Sequence, residues 1–375
     1  MTTTILAIIS IAVLLLILHD AFEVMLLPRR IKSRRRLVRF FFRFTWLFWS
    51  AIARRIQSRD RRHNFLSLYG PLSLVGLLVI WAAGLILSFG TLFWSLGLTQ
   101  SEHHLSWFDQ LYFSGVTFFT LGYGDIVPHT AFTKLLAAAQ AGIGLGFIAT
   151  VIGYLPVLYQ LFSRREAQVI LLDAAAGSPP CATTLLSRHA EAHSMDSLED
   201  LLREWQQWSA ELLESQLSYP MLAYYRSQHD NQSWLAALTA IMDTCALLMV
   251  GFKGVRTFQG RLTFSTARQA VIEMGRVFQV GARPPSGDRL SSQDFRRLST
   301  SLTEAGLLFV DESEAEQTLA AFRNTYEPFL SGLAHYLVLS LPNWLSSDNQ
   351  LDNWQNSPRG KTAKQLIESI PANPK

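Results

Sequence analysis

The sequence predicts an all-α membrane protein with a mostly helical cytoplasmic C-terminal domain. Three observations carry that reading. The 375-residue chain is 49% hydrophobic and only 17% charged, against about 25% charged in an ordinary soluble domain. Its apolar residues concentrate before position 162, in runs long enough to cross a bilayer core of about 30 Å. Strand-type alternation is weak throughout, whereas helical periodicity recurs in the second half.

The first domain, 1–28, holds an apolar segment from Thr4 to about Leu27, with His19, Asp20 and Glu23 near its end. No basic residue precedes this core and no small-residue cleavage site follows it, so an uncleaved span is expected rather than a signal peptide. Of the 33 basic and 29 acidic residues, thirteen and one fall within 29–62, leaving 20 and 28 elsewhere. A basic block beside apolar spans predicts contact with anionic lipid at the cytoplasmic face and no nucleic acid partner. Within the segment 29–67, residues 40–53 are apolar but short, interrupted by Arg43 and basic on both sides. An amphipathic helix on the membrane surface is expected there. Arg39 and Arg43 do not make the repeated arginine ladder that a voltage-sensing span needs.

Residues 68–161 form the next unit. A second span runs from about Leu68 to Trp94, with Phe93 and Trp94 suited to an interface. Residues 95–106 make a short outer link, and a short helix is predicted over 107–119. A third span runs from about Ala131 to Leu161 and ends at Arg164-Arg165. The basic flanks place the N-terminus outside and residues 162–375 in the cytoplasm of a multi-pass protein of the cell inner (plasma) membrane.

Between the second and third spans lies TFFTLGYGD, Thr117 to Asp125. After a short helix, the chain can turn back along Thr120, Leu121, Gly122, Tyr123 and Gly124. Gly122 and Gly124 reach backbone angles closed to residues with a Cβ. Successive carbonyls then point one way and can replace the hydration shell of an ion. The carbonyls of Thr120, Leu121, Gly122 and Tyr123, with the Thr120 hydroxyl, are the expected ligands.

This stretch resembles the selectivity filter of the potassium channel superfamily, whose signature TxxTxGYGD it matches at every fixed position. Residues 68–161 are similar to that family's two-helix pore module, about a quarter of the chain. The layout is similar to a bacterial branch with an extra N-terminal span and a helical tail. The resemblance implies a tetrameric potassium-channel-like pore of outer helix, pore helix, filter and inner helix. One loop supplies a quarter of a filter, so a homotetramer is implied. The resemblance further implies potassium as the permeating ligand and no cofactor. Leu121 stands where most members have Val or Ile, and Val116 where many have glutamate. Thr117 and Asp125 are expected to brace the filter, Asp125 through Tyr112 or Trp107. Tyr123 is expected to pack against the pore helix. The family's inner-helix hinge corresponds to Gly144, between Gly142 and Gly146. Those glycines permit either a bend or close helix packing. Pro156 is a kink candidate, and Ile148, Val151 and Ile152 are candidates for an apolar constriction.

In residues 162–375, helices are predicted over 197–218, 232–252, 265–279, 292–305 and 312–340, the last broken at Pro328. The segment 232–252 is apolar enough to suggest a fourth span, but Asp243 at its middle favours a buried helix. The end from Ser347 is polar and expected to be partly disordered. No GxGxxG follows a strand and there is no EF-hand loop, so the tail departs from the nucleotide- or calcium-binding tails of many potassium channels. A different sensor and a purely assembling tail both remain open. Cys181 and Cys245 are expected as reduced thiols. The histidines at 189, 193, 229 and 335 are too scattered for a metal site, and His103 and His104 in the outer link are candidates for pH sensitivity. No acid–base pair, nucleophile or cofactor motif suggests an enzyme. The reading is a potassium-selective channel gated through the tail. A less selective cation channel, or a non-conducting membrane sensor or scaffold with a pore-like fold, is the alternative.

Overall fold

The computed structural model describes residues 2–25, 37–97, 105–227, 232–285 and 287–346. Part of the basic block, His103, His104, His229 and the polar end therefore lie outside the described residues. The described residues are all helical apart from turns and one isolated antiparallel bridge, Phe252 to Phe309. Among the described residues three helices are long and apolar enough to cross a membrane, as in a multi-pass membrane protein.

The contacts divide the chain into two units, residues 1–56 with 68–160 and residues 57–67 with 161–375. In the first, α1 (Thr2–Met25) lies along α4 (Tyr69–Leu96). Ile17 faces Gly84, and Trp81 donates its indole N–H to Asp20 at 3.1 Å, so the two helices run antiparallel. Asp20 and Glu23 are buried. A carboxylate inside an apolar bundle needs a donor, and Trp81 supplies one. Gly97, left-handed at φ 57°, caps the end of α4.

The amphipathic segment forms α2 (Leu37–Arg55), longer at both ends than expected. One face packs on α4: Tyr69 donates to the Phe42 carbonyl and bonds to Thr45, and Phe41 lies over Gly76. Phe40, Phe44, Leu47 and Phe48 are exposed, a helical stripe that the chain leaves uncovered. The short helix α5 (Trp107–Phe118) and the long α6 (Ala131–Ala176) complete this half. At 46 residues α6 is about 69 Å long and continues unbroken past the expected end at Leu161, through Pro156 and into the second unit.

The second unit begins with α3 (Arg59–Ser67), a helix too polar for the periodicity argument to reveal. It continues through α7 (Ala182–Glu191), α8 (Met195–Ser218), a 3₁₀ turn (Pro220–Tyr224), α9 (Trp234–Val250), α10 (Phe258–Phe278), α11 (Ser292–Glu304), α12 (Glu312–Asn324) and α13 (Glu327–Leu337). The segment that resembled a fourth span is α9. Residues Trp234 to Leu248 are all buried, with α7, α8, α10, α12 and α13 packed around them. Asp243 is answered inside this core: Arg289 pairs with it at 2.6 Å and the Tyr326 hydroxyl donates to it at 2.6 Å. Arg289 also holds Glu327 at 2.8 Å, which Arg323 meets at 3.1 Å. The break expected at Pro328 falls at Thr325 and Tyr326 instead, and Pro328 sits in the first turn of α13, where its missing N–H costs nothing. Both cysteines are buried free thiols, and no cluster of metal-ligating side chains occurs among the described residues.

Candidate functional site

The site is assembled on α5. Ser106 caps its start: the Ser106 hydroxyl accepts from the Asp109 amide at 3.3 Å, and the Asp109 carboxylate accepts from the Ser106 amide at 2.8 Å. This reciprocal capping box follows from Ser and Asp three residues apart. At the other end the chain folds back on the helix. The amides of Phe119, Thr120 and Leu121 donate to the carbonyls of Gly115, Thr117 and Val116 at 3.0, 3.1 and 2.9 Å. The Gly115, Val116 and Thr117 carbonyls of the last turn of α5 are therefore engaged by the chain that follows.

Beyond that point the backbone alternates. Thr120, Gly122 and Gly124 have φ of 57°, 59° and 82°, all left-handed, and Leu121 and Tyr123 between them do not. Alternating left-handed residues reverse the usual flip between neighbouring peptide planes, so the carbonyls of this stretch need not point to opposite sides as in a β-strand. The two glycines accept this without steric cost. Thr120 accepts it at a cost of about 1–2 kcal/mol, and its left-handed backbone is a feature that residue type alone did not disclose.

Around the loop, three helices are tied by polar contacts. The Gln140 amide of α6 donates to the Ser114 carbonyl at 2.9 Å and to the Ser114 hydroxyl at 2.6 Å. That hydroxyl donates in turn to the Ile86 carbonyl of α4 at 2.8 Å. Gln140 and Ser114 are fully buried, and in an apolar medium each such bond has little competition from water. Phe93 and Phe113 meet edge to face at 5.1 Å, with Phe89, Leu136 and Ile143 around them. One turn beyond Gln140 on the same face, Gly144 sits against the end of α5. A Cβ there would stand 2.0 Å from the Phe118 carbonyl oxygen, so only glycine permits this approach.

Residues 81–160 match the ion channel family model. The match is confined to that segment, which is similar to ion channels. The uncharacterized membrane protein YdjJ of Bacillus subtilis (strain 168) is 29% identical over 192 residues, covering 50% of this chain and 55% of that protein. The chain thus spans about half the length of this curated relative. No solved structure matches the chain.

Within the matched segment, the expected braces separate. Tyr112 and Asp125 lie within interaction range of each other, whereas the Trp107 indole donates to the Thr91 hydroxyl of α4 at 3.2 Å. The structure therefore brings Tyr112 and Asp125 together and places Trp107 elsewhere. Thr117 is half-buried under the returning strand. Tyr123 is 68% exposed and Leu121 54% exposed, so Tyr123 does not bury itself on its own chain's α5. Gly142 and Gly146 have open space around them. Ile148 and Val151 are half-buried, and Ile152 and Pro156 are exposed. The Gln140–Ser114 brace was missed from sequence; a glutamine inside an apolar span was the available signal.

Proposed function

We propose that the chain is one subunit of a homotetrameric potassium-selective channel. The observation that carries this reading is the alternation of left-handed backbone at Thr120, Gly122 and Gly124 within TLGYGD, at the end of a short helix seated between two membrane helices. Four such loops around one axis would offer stacked rings of carbonyl oxygen from Thr120, Leu121, Gly122 and Tyr123, with the Thr120 hydroxyls below them. Such rings replace the hydration shell of a monovalent cation while several weak sites keep it moving.

The exposed Tyr123 supports the assembly. A large aromatic side chain that its own chain leaves uncovered is suited to a neighbouring copy's surface, with its hydroxyl at a polar rim. Asp125, near Tyr112, would brace each loop and draw cations to the outer mouth. The tail supplies the gating signal, and the basic block of 29–62 together with the aromatic stripe of α2 holds anionic lipid at the cytoplasmic face of the plasma membrane.

Ion flux through the purified protein in liposomes tests this, under a potassium gradient and then a sodium gradient. Potassium flux well above sodium flux, lost in Gly122→Asp, is the expected result. Equal passage of the two ions would remove the selectivity claim.

A further inference from the structure

The second unit closes around one charged residue of α6. Arg165 is 6% exposed on its side chain and pairs with Glu166 at 2.9 Å. Its two terminal nitrogens donate to the Leu222 carbonyl at 2.8 Å and the Tyr225 carbonyl at 2.7 Å, at the end of the 3₁₀ turn. The guanidinium lies 5.2 Å from the Phe162 ring centre and 5.9 Å from that of Trp234. Its neighbour Arg164 is 68% exposed and pairs with Glu211 at 2.8 Å. A basic pair after an apolar span is ordinarily read as a solvated anchor. Arg164 fits that role, and Arg165 does not.

The planar fork of Arg165 matches two backbone carbonyls that no side-chain substitution can remove. Charge-assisted bonds in a buried setting are the strong ones. The residue is carried on α6, which runs without interruption from Ala131 to Ala176. Rearrangement of the 3₁₀ turn or of the start of α9 therefore reaches α6 through Arg165, alongside the Phe162–Tyr225 ring contact and the Gln232–Asp173 bond.

Resting on the channel reading above, we propose that Arg165 is the positioning residue through which the C-terminal unit sets the inner end of α6 and so the open-to-closed ratio of the pore. The test uses the full chain in lipid with two readouts, unitary potassium currents and hydrogen exchange along α6. Arg165→Met alone would leave Glu166 buried without a partner. The deciding variant is therefore Arg165→Met with Glu166→Leu, because replacing a buried pair with apolar residues commonly preserves the fold. Leu298→Ala, in the core of the tail on α11, is the control for general loss of tail stability.

The double variant is expected to change the open-to-closed ratio by roughly 5- to 150-fold, the usual size of such couplings. Unitary conductance and preference for potassium over sodium stay as in wild type. Exchange rises over 161–176 and onward into 145–160, while Leu298→Ala alters neither the ratio nor exchange in 145–160. The proposal is overturned if the double variant gates like wild type, or if Leu298→Ala shifts gating as much. If the wild-type protein passes no current, the channel reading fails and exchange alone decides. Spread into 145–160 then sustains the grip, and confinement to 161–176 overturns it.

Discussion

The two halves of the molecule solve the burial of polar groups in opposite ways. In the first unit buried hydroxyls such as Ser73 and Ser88 bond within their own helix, and single polar contacts join one helix to another: Trp81 to Asp20, Gln140 to Ser114, Ser114 to the Ile86 carbonyl. In the second unit charge is buried against charge: besides the Arg165–Glu166 pair, Asp243, Arg289, Glu327 and Arg323 interlock, and Trp344 lies 5.6 and 5.7 Å from the guanidinium carbons of Arg289 and Arg323. Without water as a competitor, single hydrogen bonds and small residues suffice to fix helices. A domain folding in water balances charge against charge to hold loops and helix ends together. The comparison predicts that the membrane half fails through shape and the tail through charge.

Gly144→Val is the severest test of shape. With a Cβ 2.0 Å from a carbonyl oxygen, no folded, assembled protein is expected by size-exclusion chromatography in detergent. Asp243→Ala is the matching test of charge. Removing one partner of a buried pair costs about 3–5 kcal/mol, read as a lower unfolding midpoint of the tail with little effect on assembly. Gln140→Leu leaves the Ser114 hydroxyl its bond to Ile86 and is expected to cost about 1–2 kcal/mol, read in thermal unfolding. Gly142→Ala and Gly146→Ala meet open space and are expected to stabilise the helix by up to about 1 kcal/mol each. If either instead disrupts assembly as Gly144→Val does, shape is not what distinguishes the three glycines.

The smallest effect is a pH dependence in the tail. Asp311 caps α12, accepting from the Ser313 hydroxyl and from the amides of Ser313 and Glu314 at 2.6, 3.0 and 3.3 Å. The Ser313 hydroxyl bond first, then those two amides, hold its carboxyl below the usual carboxylate range. A carboxylate depressed on folding binds fewer protons folded than unfolded. Its contribution is present above the unfolded value and is lost as pH falls through the folded one. Exchange of the first-turn amides of α12 is therefore expected to rise below about pH 4, and Asp311→Asn, which caps without ionising, removes that dependence.

Much of the membrane half could be read directly because its signals are local. Three apolar runs gave the three long helices, with ends shifted by a few residues for α1 and α4, and the short helix predicted over 107–119 is α5. Other features depended on partners far along the chain. The length of α6 past Leu161 could not be read from its apolar run, since Val169, Leu172 and Ala176 are buried by the second unit and not by the apolar span. For the same reason α3 and α7 went unpredicted: neither carries an apolar stripe long enough to announce a helix before its neighbours are known. Asp243 was correctly weighed against a fourth span, yet its partners Arg289 and Tyr326 stand 46 and 83 residues away, and no spacing rule reaches that far. At the candidate site the two glycines were evident from residue type, and the left-handed Thr120 was not, because threonine seldom adopts that angle.

The seat of Gly144 on the Phe118 carbonyl limits how α6 can move. A roll of the helix about its own axis would swing the side chain of Ile143 or Leu145 toward the space now held by a hydrogen atom, and the backbone oxygen opposite cannot retreat without dragging the returning strand with it. A slide along the axis by one residue meets the same obstacle. Tilting about the point of contact keeps the glycine in place and changes only the separation of the ends. The contact is a fulcrum, and the two arms of α6 on either side of it must swing in opposite directions.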